Sequence, residues 1–269
     1  MWKKIKDILK RPVTMKQVLY FSMITVGAFF AVVALRMILS DVTEDAAART
    51  EYSQLREEFP AVSGHRPQEA DLEEDRIEDG EDDEDDEDEA EDISELQSLS
   101  LDQLAAINGD FIGWISAPPR IDYPVVRGSD NDKYINTTFF GSRNSAGTIF
   151  MDYRHSKGFD EHVAILYGHF TRDGSMFSAL INFLDPGFRR NNPNINIITR
   201  DGRNLTYRVF AAAKTDAWDD AYTVGIRDSS RASEIFPDAP SNASNFLLLS
   251  TCTRSSDENE RILVYAALG

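Results

Sequence analysis

The chain has 269 residues and a formal net charge of −18, with 28 lysines and arginines against 46 aspartates and glutamates. Most of the acidity lies in residues 40–95, which hold 25 acids and four bases, whereas residues 96–269 hold 20 acids and 17 bases. The part rich enough in apolar residues to fold therefore has no strongly basic face, and we expect no nucleic-acid partner. The single cysteine, Cys252, excludes an internal disulfide and a cysteine-cluster metal site, and no ligand spacing indicates a metal or another cofactor.

The first predicted element is a membrane anchor over residues 18–39. Residues 18–35 carry no charge, and a hydrocarbon core about 30 Å thick needs roughly 20 helical residues. Six basic side chains precede this segment and acids dominate after it, so the positive-inside rule predicts a cytoplasmic tail at residues 1–17. The rest of the chain is then expected outside the cell, held to the cell membrane by a single span. A cleaved signal peptide is the main alternative.

The acidic stretch at residues 40–95 predicts a disordered stalk between the anchor and one folded domain at residues 96–269. Its centre is the run EDDEDDEDE at residues 81–89, whose like charges repel one another and cannot pack. Such a run is also able to bind a basic partner, but a solvated spacer is the simpler interpretation.

The folded domain is predicted to open with a short helix and to continue as eight strands. Apolar residues at helical spacing lie between residues 96 and 107, with Ser100 and Gln103 in the positions of a capping box. Short runs rich in Val, Ile, Phe and Tyr follow between turn residues: GWISA, DYPVV, GTIFMDY, HVAILYG, NINIIT, LTYRVFAAAK, FLLLSTC and RILVYAAL. This pattern predicts a mainly β fold, a mostly antiparallel eight-stranded barrel. Short peripheral helices are expected at residues 175–184 and within residues 216–236.

Three residues at the ends of predicted strands are candidates for chemistry. Cys252 ends FLLLSTC, Arg261 begins RILVYAAL, and His169 follows HVAILYG. Thiol catalysis needs a thiolate, an imidazole and a group that stabilises an oxyanion. Each residue also has an ordinary structural explanation: Cys252 as a small buried hydrophobic residue, Arg261 as a solvated charge and His169 as a loop residue. Composition alone does not decide between a catalytic and a structural role.

The local sequences around these residues resemble the sortases, and the class B branch in particular. The resemblance covers most of the folded domain and rests on HVAILYGHFTRDGSMFSAL (residues 162–180), FLLLSTC (246–252), RILVYAAL (261–268), INGDFIGWISAPPRIDYPVV (107–126) and KYINTTFFGSRNSAGTIFMDYR (133–154). It implies an eight-stranded sortase-type barrel and a cysteine transpeptidase of the thiol-protease type at the surface of a Gram-positive cell.

The resemblance also implies a role for each candidate residue. Cys252 corresponds to the nucleophile, His169 to the general acid and base, and Arg261 to the group that stabilises the oxyanion or the substrate. Arg254, two residues after the thiol, is the rival to Arg261, because the loop before Arg261 varies in length in this family. Weaker substrate-binding candidates are Ser250 and Thr251, which precede the nucleophile, and Tyr167, which precedes Gly168 and His169. The histidines that do not match the catalytic position are His65, His155 and His162.

The implied reaction has two substrates, and the sequence leaves both of them open. The first is a secreted surface protein with a C-terminal sorting signal of the Asn-Pro-x-Thr type or a related one, cleaved after Thr. The second is an amine acceptor, which is either a peptidoglycan cross-bridge, for cell-wall anchoring, or a pilin lysine, for pilus polymerisation. A catalytically silent binding module for surface assembly is the alternative from a different functional class.

Overall fold

The fold is described from a computed structural model, which describes residues 15–63, 85–226, 228–236 and 238–269. Most of the expected cytoplasmic tail and the middle of the acidic stretch lie outside these residues. The chain divides into two compact units, Met1–Glu44 and Asp45–Gly269. The candidate chemistry lies in the second unit.

The described ranges contain four α-helices and eight strands. The helices are α1 (Met15–Glu58), α2 (Asp85–Ile107), α3 (Pro186–Asn191) and α4 (Ser229–Ile235). The strands are β1 (Phe111–Ala117), β2 (Ile121–Val126), β3 (Ile149–Met151), β4 (Val163–Tyr167), β5 (Asn194–Thr199), β6 (Asn204–Asp216), β7 (Phe246–Cys252) and β8 (Glu260–Leu268). Short 3₁₀ helices span Gly158–Asp160, Phe177–Leu184 and Asp220–Tyr222.

The eight strands close into one barrel in the order β1-β2-β3-β4-β7-β8-β6-β5. β2 pairs with β3, and β4 with β7, in parallel, and the other neighbours are antiparallel. Side chains alternate between the two faces of a strand, and two apolar clusters result. The larger cluster contains residues of all eight strands and is the barrel core. The smaller one covers the outer face of β4, β6, β7 and β8 with the segment between β6 and β7.

The prediction of an eight-stranded barrel is confirmed, and every predicted strand segment contains an observed strand. Strand β3 is much shorter than the predicted segment GTIFMDY, because the strand ends before Asp152. The Asp152 carboxylate accepts the backbone N–H of Arg154 at 3.1 Å, which turns the chain out of the sheet. The predicted helical piece at residues 175–184 is the 3₁₀ helix from Phe177, and the stretch 216–236 holds a 3₁₀ turn and α4.

The last part of α1 and the turn after it belong to the folded unit, which differs from the expectation of a disordered stalk beginning at residue 40. Ala48, Tyr52, Leu55, Phe59 and Val62 are all at most 3 % exposed and are part of the barrel core cluster. Ala48, Tyr52 and Leu55 lie three or four residues apart on one face of the helix, and Phe59 and Val62 follow in the turn. The folded unit therefore begins at Asp45 instead of residue 96.

The helix before β1 also starts earlier than the sequence indicates. α2 begins at Asp85, inside the acidic run, and buries Leu101 and Leu104 near its end. The Ser100 hydroxyl donates to the carbonyl oxygen of Leu96 at 2.8 Å, one turn back, so Ser100 lies within the helix. The prediction of a capping box at Ser100 and Gln103 is wrong.

The predicted membrane anchor falls within α1. Among the residues that the structure describes, no helix is both long enough and apolar enough to cross a membrane.

His155 is a buried histidine with a structural role. It is 1 % exposed, and its Nε2 accepts the backbone N–H of Ile165 in β4 at 3.3 Å. Its carbonyl oxygen accepts Nη1 of Arg127 at 2.6 Å. Burial lowers the pKa of His155 below its usual value, so the folded chain holds this imidazole neutral.

We expect the free energy of unfolding of residues 45–269 to fall as the pH decreases from 7 to 5. Between the depressed folded pKa of His155 and the unfolded value near 6.5, the unfolded chain binds more protons, so stability is lost as the pH falls through this window. Urea unfolding at both pH values measures the loss, and His155→Gln should reduce it, since the amide oxygen accepts the Ile165 N–H without titrating. An equal loss in the variant would assign the pH dependence to other groups.

Candidate active site

Cys252 is the last residue of β7, and its side chain is exposed. The six residues before it in this strand are buried, so Cys252 lies where the strand leaves the core at the rim of the barrel. The alternation of β7 places Cys252 on the same face as Leu248 and Ser250, which is the outer face of the barrel.

Arg261 lies directly opposite Cys252. The antiparallel register of β7 and β8 pairs the two residues, and partners in such a pair project from the same face with Cβ atoms about 4.5–5.5 Å apart. Nη1 of Arg261 donates to the carbonyl oxygens of Glu258 at 2.7 Å and Glu260 at 3.1 Å. These bonds orient the guanidinium, and within the described part of the chain its Nε and Nη2 make no hydrogen bond.

His169 reaches the same rim from β4. The parallel register pairs Tyr167 with Ser250, and the N–H of Gly168 donates to the carbonyl oxygen of Ser250 at 3.2 Å. His169 and Cys252 each lie two residues beyond that pair, at the ends of adjacent strands. Nε2 of His169 is 2.7 Å from the carbonyl oxygen of Ile135. The thiol and the guanidinium thus come from β7 and β8, and the imidazole from the residues just after the adjacent strand β4.

Arg254, the rival cation, is engaged elsewhere. Its Nη2 donates to the carbonyl oxygen of Arg172 at 2.9 Å, and its guanidinium carbon lies 5.4 Å from the centre of the Phe170 ring. By register it is Arg261, and not Arg254, that is paired with Cys252.

Ser250 and Thr251, the two hydroxyl residues before the thiol, separate onto different faces. Ser250 is buried on the face of Cys252. Thr251 is buried on the opposite face, and its hydroxyl has no hydrogen-bond partner among the described residues. The structure therefore brings the Ser250 side chain to the face that carries the thiol, and the Thr251 side chain away from it.

Tyr222 also lies on this face, and no pattern in the sequence predicted it. Its hydroxyl is 2.7 Å from Oγ of Ser250, and its ring stacks on that of Tyr167 with 6.2 Å between centroids and 16° between planes. Burial raises the pKa of Tyr222, while the positive charge of Arg261 opposes that rise. Tyr222 comes from the 3₁₀ turn between β6 and β7, and no local pattern marks it, because its partners are 28 and 55 residues away in the sequence.

A buried carboxylate supports the predicted substrate-binding residue Tyr167. The Tyr167 hydroxyl donates to Oδ2 of Asp152 at 3.1 Å, and Arg154 forms an ion pair with the same carboxylate at 2.7 Å. Burial raises the pKa of Asp152, but the hydrogen bonds from Arg154 and Asn131 outweigh it and bring the pKa to about 2. Asp152 is therefore ionised at neutral pH and holds Tyr167 through a charge-assisted bond.

The rim thus carries a thiol, an imidazole and a guanidinium, the three groups that thiol-dependent acyl transfer uses. A thiolate attacks an acyl carbon, an imidazole moves the proton of the leaving or entering amine, and a guanidinium offers planar N–H donors to a developing oxyanion. This set, on a closed eight-stranded barrel, is what the class of cysteine-dependent acyl-transfer enzymes requires.

Comparisons with known proteins agree with that class. The family model described as "Sortase domain" matches residues 117–269. Sortase B of Staphylococcus aureus is 31 % identical over 180 residues, which cover 62 % of this chain and 73 % of that protein. Sortase B of Listeria monocytogenes is 39 % identical over 89 residues, covering 33 % of this chain but only 36 % of the relative.

A solved structure of S. aureus Sortase B complexed with MTSET gives a TM-score of 0.65 at 25 % identity. The match covers 85 % of this chain and 91 % of that one. The chain belongs to the sortase family, whose members are cysteine transpeptidases, and its relatives are class B sortases.

Proposed function

We propose that this chain is a membrane-anchored transpeptidase that cleaves a C-terminal sorting signal after Thr and transfers the new carboxyl end to an amine at the cell surface. The observation that carries the proposal is the strand register, which pairs Cys252 with Arg261 and leaves His169 two residues beyond the paired Tyr167 at the end of the adjacent strand. Family membership supports the reaction class. In this proposal cell-wall anchoring is the primary task, and polymerisation of pilin through a lysine acceptor is the alternative.

The first half-reaction forms a thioester. The Sγ thiolate of Cys252 attacks the carbonyl carbon of the Thr residue, and the oxygen takes up negative charge facing the Arg261 guanidinium. The C–N bond then breaks, and the His169 imidazolium gives its proton to the departing amine. The products are an acyl-enzyme and a free C-terminal fragment.

The second half-reaction reverses these roles with a new amine. Neutral His169 takes a proton from the entering amine, whose nitrogen attacks the thioester carbonyl. The C–S bond breaks, Cys252 leaves as a thiolate, and an amide joins the surface protein to its acceptor. Arg261 keeps its charge throughout, because a guanidinium does not lose its proton in the physiological range.

The Cys252 face also offers groups for the sorting peptide. Ser250, Tyr167 and Tyr222 form one hydrogen-bonded and stacked group on this face. We propose that this group contacts the residues before the cleaved bond, and that Thr251 contributes through its backbone alone. The segment between β6 and β7, which supplies Tyr222, is the proposed specificity segment for an Asn-Pro-x-Thr-like signal.

The anchor is part of the proposal. Large apolar side chains between Tyr20 and Leu35 are exposed, and residues 18–35 carry no charge. An exposed apolar surface of this kind indicates a membrane or partner contact. With the basic side chains before it, the segment is proposed as residues 18–39 of a single span, with the amino terminus cytoplasmic and the catalytic unit extracellular.

Intact mass spectrometry of the full-length chain in detergent tests the reaction. The chain is incubated with a pool of peptides containing Pro-x-Thr, without an added amine. We expect a covalent adduct whose mass identifies the acyl fragment and hence the signal. Adding either a glycine peptide or a lysine side-chain analogue should then release the adduct as an amide, and the faster acceptor indicates the task.

A matched control uses the same chain after alkylation of its single cysteine. That sample should give no adduct, because Cys252 is the only thiol. An adduct of equal yield on the alkylated chain would remove Cys252 from the proposal. No adduct on a folded chain whose thiol reacts with iodoacetamide would favour a binding module that keeps the barrel without the chemistry.

Arg261→Lys is expected to lower kcat/KM by about 10²- to 10³-fold, which is the usual cost of removing one oxyanion donor. The ammonium keeps the positive charge but replaces the planar donors with a flexible point charge. Steady-state kinetics with the identified peptide measures the loss, and Arg254→Lys is the control, since Arg254 lies over Phe170. Near-normal turnover of Arg261→Lys would remove the guanidinium from the mechanism.

A further inference from the structure

The hydrogen bond to the Ile135 carbonyl determines which ring nitrogen of neutral His169 carries the proton. A backbone carbonyl oxygen only accepts hydrogen bonds, so the Nε2 that lies 2.7 Å from it must carry a proton. In the neutral imidazole the lone pair is then on Nδ1. The Ile135 carbonyl thus determines that Nδ1 is the ring nitrogen available for proton transfer. A group that holds this carbonyl in place therefore also holds the tautomer and the orientation of the His169 ring.

The first support of this carbonyl is indirect and runs from Tyr52 in α1 through Gly147. Gly147 packs so closely on the segment bearing Ile135 that an added Cβ would lie 2.5 Å from the Ile135 oxygen. Its φ of +59° and this approach both require glycine. The Tyr52 hydroxyl donates to the carbonyl oxygen of Gly147 at 2.6 Å and is 3.2 Å from Oγ1 of Thr148. Thr148 in turn donates its N–H to the Tyr134 carbonyl at 3.1 Å.

The second contact is an ion pair one turn earlier in the same helix. Nε of Arg49 bonds to Oδ2 of Asp173, whose side chain is only 5 % exposed. Oδ1 of Asp173 accepts the backbone N–H of Ser175 at 3.0 Å, which shapes the loop that follows the histidine. That loop returns to the base, because the N–H of Phe177 donates to the carbonyl oxygen of His169 at 3.1 Å.

We infer that residues 45–59 are a positioning element for the base. Tyr52 holds Gly147 against the Ile135 carbonyl that receives the Nε2 proton of His169, and Arg49 holds the loop that follows His169. The first support acts on the side chain of His169, through the Ile135 carbonyl, and the second acts on its backbone, through Phe177. Tyr52 and Arg49 are far from the reacting atoms in sequence and act only through His169. The expected effect on turnover rests on the proposed function. The expected effect on the tautomer of His169 does not.

The test uses two conservative changes in the full-length chain in detergent. Tyr52→Phe removes only the hydroxyl and keeps the ring that packs on Tyr123 at 5.3 Å. Asp173→Asn keeps an oxygen for Ser175 and removes the charge that pairs with Arg49. The matched controls are Tyr207→Phe, whose buried hydroxyl has no partner among the described residues, and Arg203→Met, which breaks the surface ion pair with Asp160.

Two readouts separate positioning from stability. Histidine ¹⁵N NMR is expected to show one tautomer of His169, with Nε2 protonated, in the wild type and both controls. Tyr52→Phe and Asp173→Asn should give a mixture of tautomers or an exchange-broadened signal. In peptide transfer, both variants should lower kcat about tenfold with KM nearly unchanged, as expected when a reacting group is misplaced.

The outcomes are distinguishable. An unchanged His169 signal and unchanged kcat in both variants would overturn the inference. The same losses in the two controls would also overturn it, because a general stability effect would then suffice. Altered tautomers in a chain that never forms an acyl adduct would support the positioning element and overturn the proposed reaction instead, since the NMR readout needs no turnover.

Discussion

Cys252→Ala is expected to abolish covalent transfer and to leave the folded unit intact. Without Sγ no thioester forms, and the loss in kcat/KM should be at least about 10⁴-fold, the scale seen when a catalytic nucleophile is removed. The side chain is exposed at the end of β7, so its loss leaves no core cavity and changes stability little. Transfer rate, circular dichroism and thermal unfolding measured on the same sample test both parts.

A binding measurement completes this prediction. Ser250, Tyr167 and Tyr222 remain in place in the variant, so the Kd for the sorting peptide should change by less than about threefold, or roughly 0.6 kcal/mol. Retained affinity with no covalent product supports the transpeptidase. A cell that assembles its surface proteins normally with Cys252→Ala as its sole copy would contradict it and support the silent binding module.

Removing residues 1–95 is expected to prevent stable folding, whereas removing residues 1–44 is not. Tyr52, Leu55, Phe59 and Val62 are nearly fully buried, and burying each large apolar side chain contributes about 1.5–3 kcal/mol. Their combined contribution, about 6–12 kcal/mol before the entropy cost of ordering the segment, is comparable with the whole stability of a domain. The fragment 96–269 should expose apolar surface and aggregate or bind a hydrophobic dye.

The fragment 45–269 is the matched control, and it should unfold in one cooperative transition. Point changes give an independent measure in that fragment: Leu55→Ala should cost about 2–5 kcal/mol, while Gln54→Ala on the exposed face should cost less than about 0.5 kcal/mol. Equal unfolding midpoints for the fragments 45–269 and 96–269 would show that the helix is dispensable for stability.

Local patterns were enough to predict the strands. Each run of β-branched and aromatic residues between turn residues became a strand, because a strand needs only a short apolar segment that can be buried. The proposed catalytic residues were not identified in this way. Cys252, His169 and Arg261 stand at strand ends in the sequence, but their roles came from the resemblance to sortases, since composition and spacing left the ordinary explanations open.

The helical segment at residues 45–58 was predicted as part of a disordered stalk because the composition of residues 40–95 is acidic. Ala48, Tyr52, Leu55, Phe59 and Val62 have the spacing of a buried helical face, and that signal was present in the sequence. The acidic average of residues 40–95 concealed it. Charge averaged over a long window describes solvation, whereas burial depends on which side chains share a face.

The sequence by itself determined the local elements: the apolar segment at residues 18–35, the strands, and the residue types available for acyl transfer. The tertiary structure alone decided which of these elements meet. Only the pairing of β7 with β8 separates Arg261 from Arg254. Only tertiary packing brings Tyr222 to Ser250 and Tyr52 to Gly147. The physical reason is that periodicity reports on neighbours three or four residues apart, whereas register and packing join residues tens of positions apart and arise only when the whole core is buried at once.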